Sequence, residues 1–168
     1  MSSDGNIAML IDAALTPEDC NCLAARSAAR HITQFYDQLL APIGLRTTQF
    51  SILATLKGKG PLTVNGLAKD MVMDRTTLGR NILPLERDGL IRIQPAANDR
   101  RAKDVSLTTA GEKCLQAAMK GWSKAQAQFE NTFGPRRAAD LRSMLRAVVA
   151  TNPEVHRPGT RPTPWPVR

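Results

Sequence analysis

Two clusters of hydrogen-bonding side chains carry the chemistry legible in this 168-residue chain. The first is Arg75, Thr76, Thr77 and Arg80. The second is Asp99, Arg100, Arg101 and Lys103. An arginine fork donates two parallel hydrogen bonds, a geometry that fits O6 and N7 of guanine. A threonine can donate to a phosphate or touch a thymine methyl. No Ser/His/Asp spacing, no carboxylate pair in an apolar setting and no glycine-rich phosphate loop accompanies them. The histidines are His31 and His156, and His156 falls in a proline-rich stretch. The residue types therefore point to binding rather than catalysis, and no enzyme is expected. Cys20, Cys22 and Cys114 make an odd count without CxxC spacing or a histidine cluster, so neither a metal site, a cofactor nor a disulfide framework is expected.

The elements that must position these clusters are well marked. Between Thr76 and Leu90 the apolar residues Leu78, Ile82, Leu85 and Leu90 recur at near-helical spacing, which leaves Arg75, Thr77, Arg80, Asn81 and Arg87 elsewhere around the helix. Asp74 suits an N-cap, because its carboxylate can accept the free N–H groups of the first turn, and Gly89 suits the stop. Ile91 and Ile93 then alternate with Arg92 and Gln94, and Val105 and Leu107 with Asp104 and Ser106, the period of half-buried strands. Their connection carries the second cluster as a cationic tip. A basic-faced helix beside a cationic hairpin is the layout of a winged helix-turn-helix, with the helix for the major groove and the wing for the minor groove of double-stranded DNA.

Upstream, Thr16-Pro17-Glu18-Asp19 reads as the start of a first helix running to about Ala41, where Pro42 and Gly44 end it. A second helix is expected from Thr47 to Lys57, closed by Gly58 and Gly60, then a short strand at Pro61-Leu62. Thr63 caps a short third helix, and a four-residue turn leads into the Asp74 helix. Two residues inside that helix break local rules. Gly79 either lets the helix sit close to a groove or makes a tight contact with a neighbouring helix, whereas Pro84 bends the helix around the core. After Thr108 a long helix places Leu115, Met119, Trp122, Ala125 and Phe129 on one side. Gly134-Pro135 restarts the chain into a last helix with Leu141, Met144, Leu145, Val148 and Val149 inward.

The first and last helices carry more apolar surface than a small winged-helix core can cover, so a two-fold homodimer is expected in which they interleave. The fold class expected is mainly α with a small β-hairpin wing. The divisions are an N-terminal arm at 1–16, a first dimerisation helix at 17–45, the winged helix-turn-helix at 46–107, C-terminal dimerisation helices at 108–151, and a Pro/Arg-rich tail at 152–168 that should be extended or disordered. Residues 1–15 read equally as a short helix on a partner or a loose arm.

The formal net charge of +8 favours a polyanionic partner. Its placement says more: residues 46–103 hold 11 Lys/Arg against 5 Asp/Glu, whereas residues 1–45 hold 2 against 5. No run of about 18 apolar residues and no leader-like N-terminus is present, so no membrane is implied and a cytoplasmic protein is the expectation.

Asp99-x-Arg101, five residues, then Leu107-Thr108 resembles the D-x-R-x5-L-T wing motif of the MarR family of bacterial transcription regulators. Arg75 to Ile91 resembles that family's recognition helix and helix end, and the similarity runs from about Cys22 to Val149. The resemblance implies a DNA-binding regulator, by default a repressor, acting on an inverted-repeat operator. It implies Arg101 in or over the minor groove, with Asp99 orienting it or a neighbouring wing arginine, and Arg100 and Lys103 on phosphates. It also implies a small effector, often an aromatic or phenolic acid, held between the dimer helices and the DNA lobe. Arg26, Arg30 and His31, with Phe35, Tyr36, Phe50 and Trp122 near, could meet that demand. One branch of the family senses organic hydroperoxides through a cysteine early in the first helix, which makes Cys20 and Cys22 an alternative, thiol-based switch. Glu18 and Asp19 oppose a lowered thiol pKa, and Tyr36 is the chain's only tyrosine where that branch uses several. A winged helix used for protein contacts alone is the alternative of another class.

Overall fold

In the computed structural model of the chain, the residues described are 16–96 and 101–151. The arm, the tail, and the wing-tip residues Asp99 and Arg100 lie outside them. The order is α1 (Asn21–Leu40), α2 (Thr47–Lys59), β1 (Leu62–Thr63), α3 (Val64–Asp70), α4 (Arg75–Arg87), β2 (Ile91–Pro95), β3 (Lys103–Leu107), α5 (Thr109–Phe133) and α6 (Pro135–Ala150). It is a mainly helical winged helix-turn-helix, as its pattern of elements requires.

The helix ends follow from local chemistry, with two corrections. Thr16 does not start α1. Thr16 and Asp19 close a separate 3-10 turn over Pro17–Asp19, in which the Thr16 N–H and hydroxyl both donate to Asp19 Oδ2, at 3.2 and 3.0 Å. The backbone then extends at Cys20, whose Sγ accepts the Leu23 N–H at 3.4 Å and caps α1. Nor does Gly58 end α2. The helix continues to Lys59 because the Gly60 N–H still reaches the Leu56 carbonyl at 3.0 Å, and only at Gly60 does φ become positive, at 80°.

The start of α2 depends on a residue ten positions upstream. Asp37 accepts from the Thr47 N–H at 2.6 Å, from the Thr47 hydroxyl at 2.7 Å and from Arg46 at 3.2 Å, and its side chain is 19% exposed. Burial pushes this carboxyl's pKa up, but the Thr47 and Arg46 hydrogen bonds outweigh it and hold the group below its ordinary value.

β3 is the central strand, antiparallel to β1 on one side and β2 on the other. Val105 stands opposite both Leu62 and Ile93, so one face of the sheet presents an apolar row to the core. That core is built from Leu40, Leu45, Phe50, Ile52, Leu53, Leu56, Leu67, Leu78, Ile82, Leu85, Ile91 and Leu115 around Val105. The helix after the wing is seated very closely. Thr108 caps α5 through Gly111 N, and its hydroxyl donates to the carbonyls of Gly89 and Leu90, at 2.7 and 3.1 Å. A Cβ at Gly111 would stand 2.0 Å from the Leu90 oxygen.

The expectation that α6 packs its apolar residues inward is not met within one chain. Leu141 is half-buried, but Met144, Leu145, Val148 and Val149 are 61, 46, 66 and 57% exposed. α6 touches this chain chiefly through the end of α5: Ala138 is buried, Arg142 pairs with Glu130 at 2.9 Å, and Arg137 stacks over Phe133. Its outer stripe points away from the body of the chain. Every residue in the first half of α1, from Asn21 to His31, is exposed as well.

Candidate nucleic-acid interface

The helix-turn-helix is α3, a turn over 71–74, and α4. The turn bends at Val72, with φ of 53°, a conformation that costs a β-branched residue energy. It is held by the Val72 N–H on the Lys69 carbonyl and the Met73 N–H on the Ala68 carbonyl, at 3.1 and 2.9 Å. Asp74 then caps α4 as its residue type requires: Oδ1 accepts the Thr77 N–H at 2.8 Å and Oδ2 accepts the Thr77 hydroxyl at 2.6 Å. Those bonds, the Thr77 hydroxyl first, hold the Asp74 carboxyl below its ordinary pKa. Thr77's proton is thereby committed to the cap, which leaves its methyl and oxygen lone pairs to the outside.

α4 buries Leu78, Ile82 and Leu85. At about 100° per residue, the face diametrically opposite is Thr76, Arg80, Leu83 and Arg87, all exposed. Arg87 is engaged with Asp88 at 3.1 Å. Leu83 was not singled out in the sequence, though its departure from the Leu78-Ile82-Leu85 stripe was a signal available there. One expectation about the irregular residues is resolved. A Cβ at Gly79 would meet nothing within 4 Å, so the tight contact with a neighbouring helix is absent and the position is open. Pro84 lies within a continuous α4, leaving the Arg80 carbonyl without the intrahelical donor it would otherwise have.

The wing rises beside the start of α4. Pro95 pairs with Lys103, and the Ala96 N–H reaches the Ala102 carbonyl at 2.9 Å to close the hairpin below its tip. Between wing and helices lies a cleft of about 230 Å³ lined by Thr63, Val64, Asn65, Arg75, Arg101, Ala102 and Lys103. Three cations from two segments, Arg75 on one and Arg101 and Lys103 on the other, thus converge on a polar groove. Arg75 and Lys103 make no ion pair among the described residues, so their charge is uncompensated there. Such a groove suits an oxyanion. Thr63 and Asn65, which sequence reasoning left out of the site, line it too.

The other proposed residues are distributed differently. Arg26, Arg30 and His31 stand on the exposed half of α1, where Arg30 donates to Ser27 at 3.1 Å. Phe35 meets Tyr36 edge-on, and Trp122 stacks on Phe50 with centroids 6.1 Å apart. None of these seven lines the groove above or a second cleft of about 500 Å³ bounded by Gln34, Asp37, Gln38, Ala41, Gly44, Leu45 and Arg46. Cys20 and Cys22 are exposed, and Cys114 is half-buried with its thiol pKa pushed up by burial. Among the described residues no group of three His, Cys, Asp or Glu could hold a metal, and no helix is long and apolar enough to cross a membrane.

Comparison with known proteins agrees with this geometry. Residues 45–103, the helix-turn-helix and wing, match the MarR family. The M. tuberculosis transcriptional regulator MosR, solved in complex with DNA, is 39% identical, with 78% of this chain and 97% of that one covered and a TM-score of 0.67. The HTH-type transcriptional regulator PecS of Dickeya dadantii is 23% identical over 120 residues, 70% of this chain and 72% of that protein. The HTH-type transcriptional repressor NicR of Pseudomonas putida is 30% identical over 100 residues, 60% of this chain and 63% of that protein. With its wing motif, its helix-turn-helix and these relatives, the chain belongs to the MarR family of winged-helix transcription regulators.

Proposed function

We propose that the protein is a homodimeric repressor that binds an inverted-repeat operator, with α4 in the major groove and the wing at the minor groove. The observation that carries this reading is the polar groove in which Arg75, Arg101 and Lys103 converge beside the exposed face of α4. The DNA complex of MosR and the repressor NicR support it by similarity. Arg75, Thr76, Thr77 and Arg80 serve the major groove and its backbone. Arg101 enters the minor groove, with Asp99 orienting it or a neighbouring wing arginine, while Arg100 and Lys103 meet phosphates.

Fluorescence polarisation on the intergenic DNA upstream of its own coding region, at two salt concentrations and against a scrambled duplex, tests this. Arg101→Ala is expected to weaken binding by about 1–3 kcal/mol, roughly five- to 150-fold. Wild-type affinity should fall steeply with salt, because each neutralised phosphate releases counterions. Binding equal on scrambled DNA and indifferent to Arg101 would refute the reading.

A small aromatic or anionic effector controls the affinity in this scheme. Arg26, Arg30 and His31 supply the anion contacts, with Phe35 and Trp122 as the apolar wall, in a pocket completed by the second chain against the uncovered half of α1. Release of the operator by an aromatic acid in the same assay, lost in Arg30→Ala, is the matching check.

One observation favours a second mode of control. The Cys20 sulfur accepts a backbone N–H at the first turn of the 20-residue α1, exposed and at the positive end of the helix. That placement suits a thiolate attacking a hydroperoxide to give the alcohol and a sulfenic acid. In a cumene hydroperoxide titration, wild type should lose operator affinity while Cys20→Ser or Cys22→Ser does not. Equal behaviour of all three proteins removes this mode.

A further inference from the structure

Leu83 is 61% exposed, and among the described residues of the winged-helix lobe only it and Val72 are large apolar side chains left so open. Its place is more informative than its exposure. With Thr76, Arg80 and Arg87 it forms the outermost stripe of α4, opposite Leu78, Ile82 and Leu85, flanked on both sides by hydrogen-bonding residues. From Thr76 to Leu83 the stripe rises about 10 Å at about 1.5 Å per residue, which spans roughly three base pairs at about 3.4 Å each. Gly79 beside it carries no side chain, and the space around that position is open, so the middle turn of the helix can approach a groove closely.

A polar or charged residue at the centre of such a stripe would hydrogen-bond to base edges. A leucine cannot. The apolar group that a major groove offers is the C5 methyl of thymine, and covering that methyl removes apolar surface from water on both partners. We infer that Leu83 is a specificity-determining residue that reads a thymine methyl in each half-site. This rests on the operator-binding reading above, with α4 in the major groove.

The test pairs an atom-level change in DNA with one in the protein. A binding-site selection from random duplexes with the full-length protein gives the preferred sequence, and each thymine in it is replaced in turn by deoxyuridine, which deletes only the methyl. At one symmetric pair of thymines, uracil is expected to weaken wild-type binding about fourfold per half-site, about fifteenfold for both, from the surface one methyl buries. Leu83→Ala should bind the thymine and uracil duplexes alike, and Leu83→Met, which keeps an apolar side chain, should retain the preference. That non-additivity is the signature of a direct contact. If every uracil substitution weakens Leu83→Ala as much as wild type, Leu83 reads no methyl and the inference fails, while sequence-specific binding weakened by Arg101→Ala leaves the operator reading standing. If wild type selects no preferred sequence, both fail together.

Discussion

Leu145→Asp combined with Val148→Asp is expected to convert the protein from dimer to monomer and to weaken operator binding about a hundred-fold or more, the avidity that linking two binding sites provides. Leu141, Met144, Leu145, Val148 and Val149 recur at helical spacing along α6, and four of them are largely exposed in the single chain. The homodimer proposed above would cover this stripe with the same helices of a second copy. Aspartates inserted there must be desolvated on association without a partner charge, which opposes the interface. The sites lie far in sequence from the groove residues, so the winged-helix lobe should fold as before. Sedimentation velocity reads the mass and polarisation reads the affinity. A double variant that still sediments as a dimer would place the interface elsewhere.

Gly111→Ala is expected to destabilise the fold by about 3 kcal/mol, the upper range for forcing one extra group into a packed site. The corresponding fall in Tm is on the order of 10 °C. The added methyl would stand 2.0 Å from the Leu90 oxygen and 2.8 Å from Leu107 Cδ1, and the closer obstacle is backbone. That backbone is itself fixed, because the Leu90 carbonyl accepts from both the Thr108 N–H and hydroxyl, at 3.1 Å each. Relief therefore requires α5 to lift from the junction of α4 and the wing. Gly58→Ala is the control: it lies inside α2 with nothing within 4 Å of its added Cβ, and it should stabilise by up to about 1 kcal/mol. Thermal unfolding followed by circular dichroism ranks the two. Equal Tm values for Gly111→Ala and wild type would show that the α5 seat is softer than its contacts indicate.

The parts of this protein whose cause is local were legible in the order of its residues. Asp74 caps α4, Gly89 stops it in the left-handed region, Thr63 caps α3 and Thr108 caps α5, each because the group it satisfies lies within three residues. The wing strands were legible for the same reason, since alternation at period two needs only neighbours, and the paired register of Ile91 with Leu107 and Ile93 with Val105 agrees with it. Other features depend on contacts between residues distant in the chain, which no local pattern reveals. Asp37 reaches across ten residues to start α2. Arg75 and Arg101, 26 positions apart, meet in one groove with Thr63 and Asn65. Leu83 and the α6 stripe are apolar in sequence like any core residue, and which apolar side chains stay outside is decided by how many faces of each helix the other elements cover. α4 is covered on one side by α2, α3 and β2, and α6 chiefly by the end of α5. The side chains left over are those that the proposed operator contact and the proposed homodimer would cover.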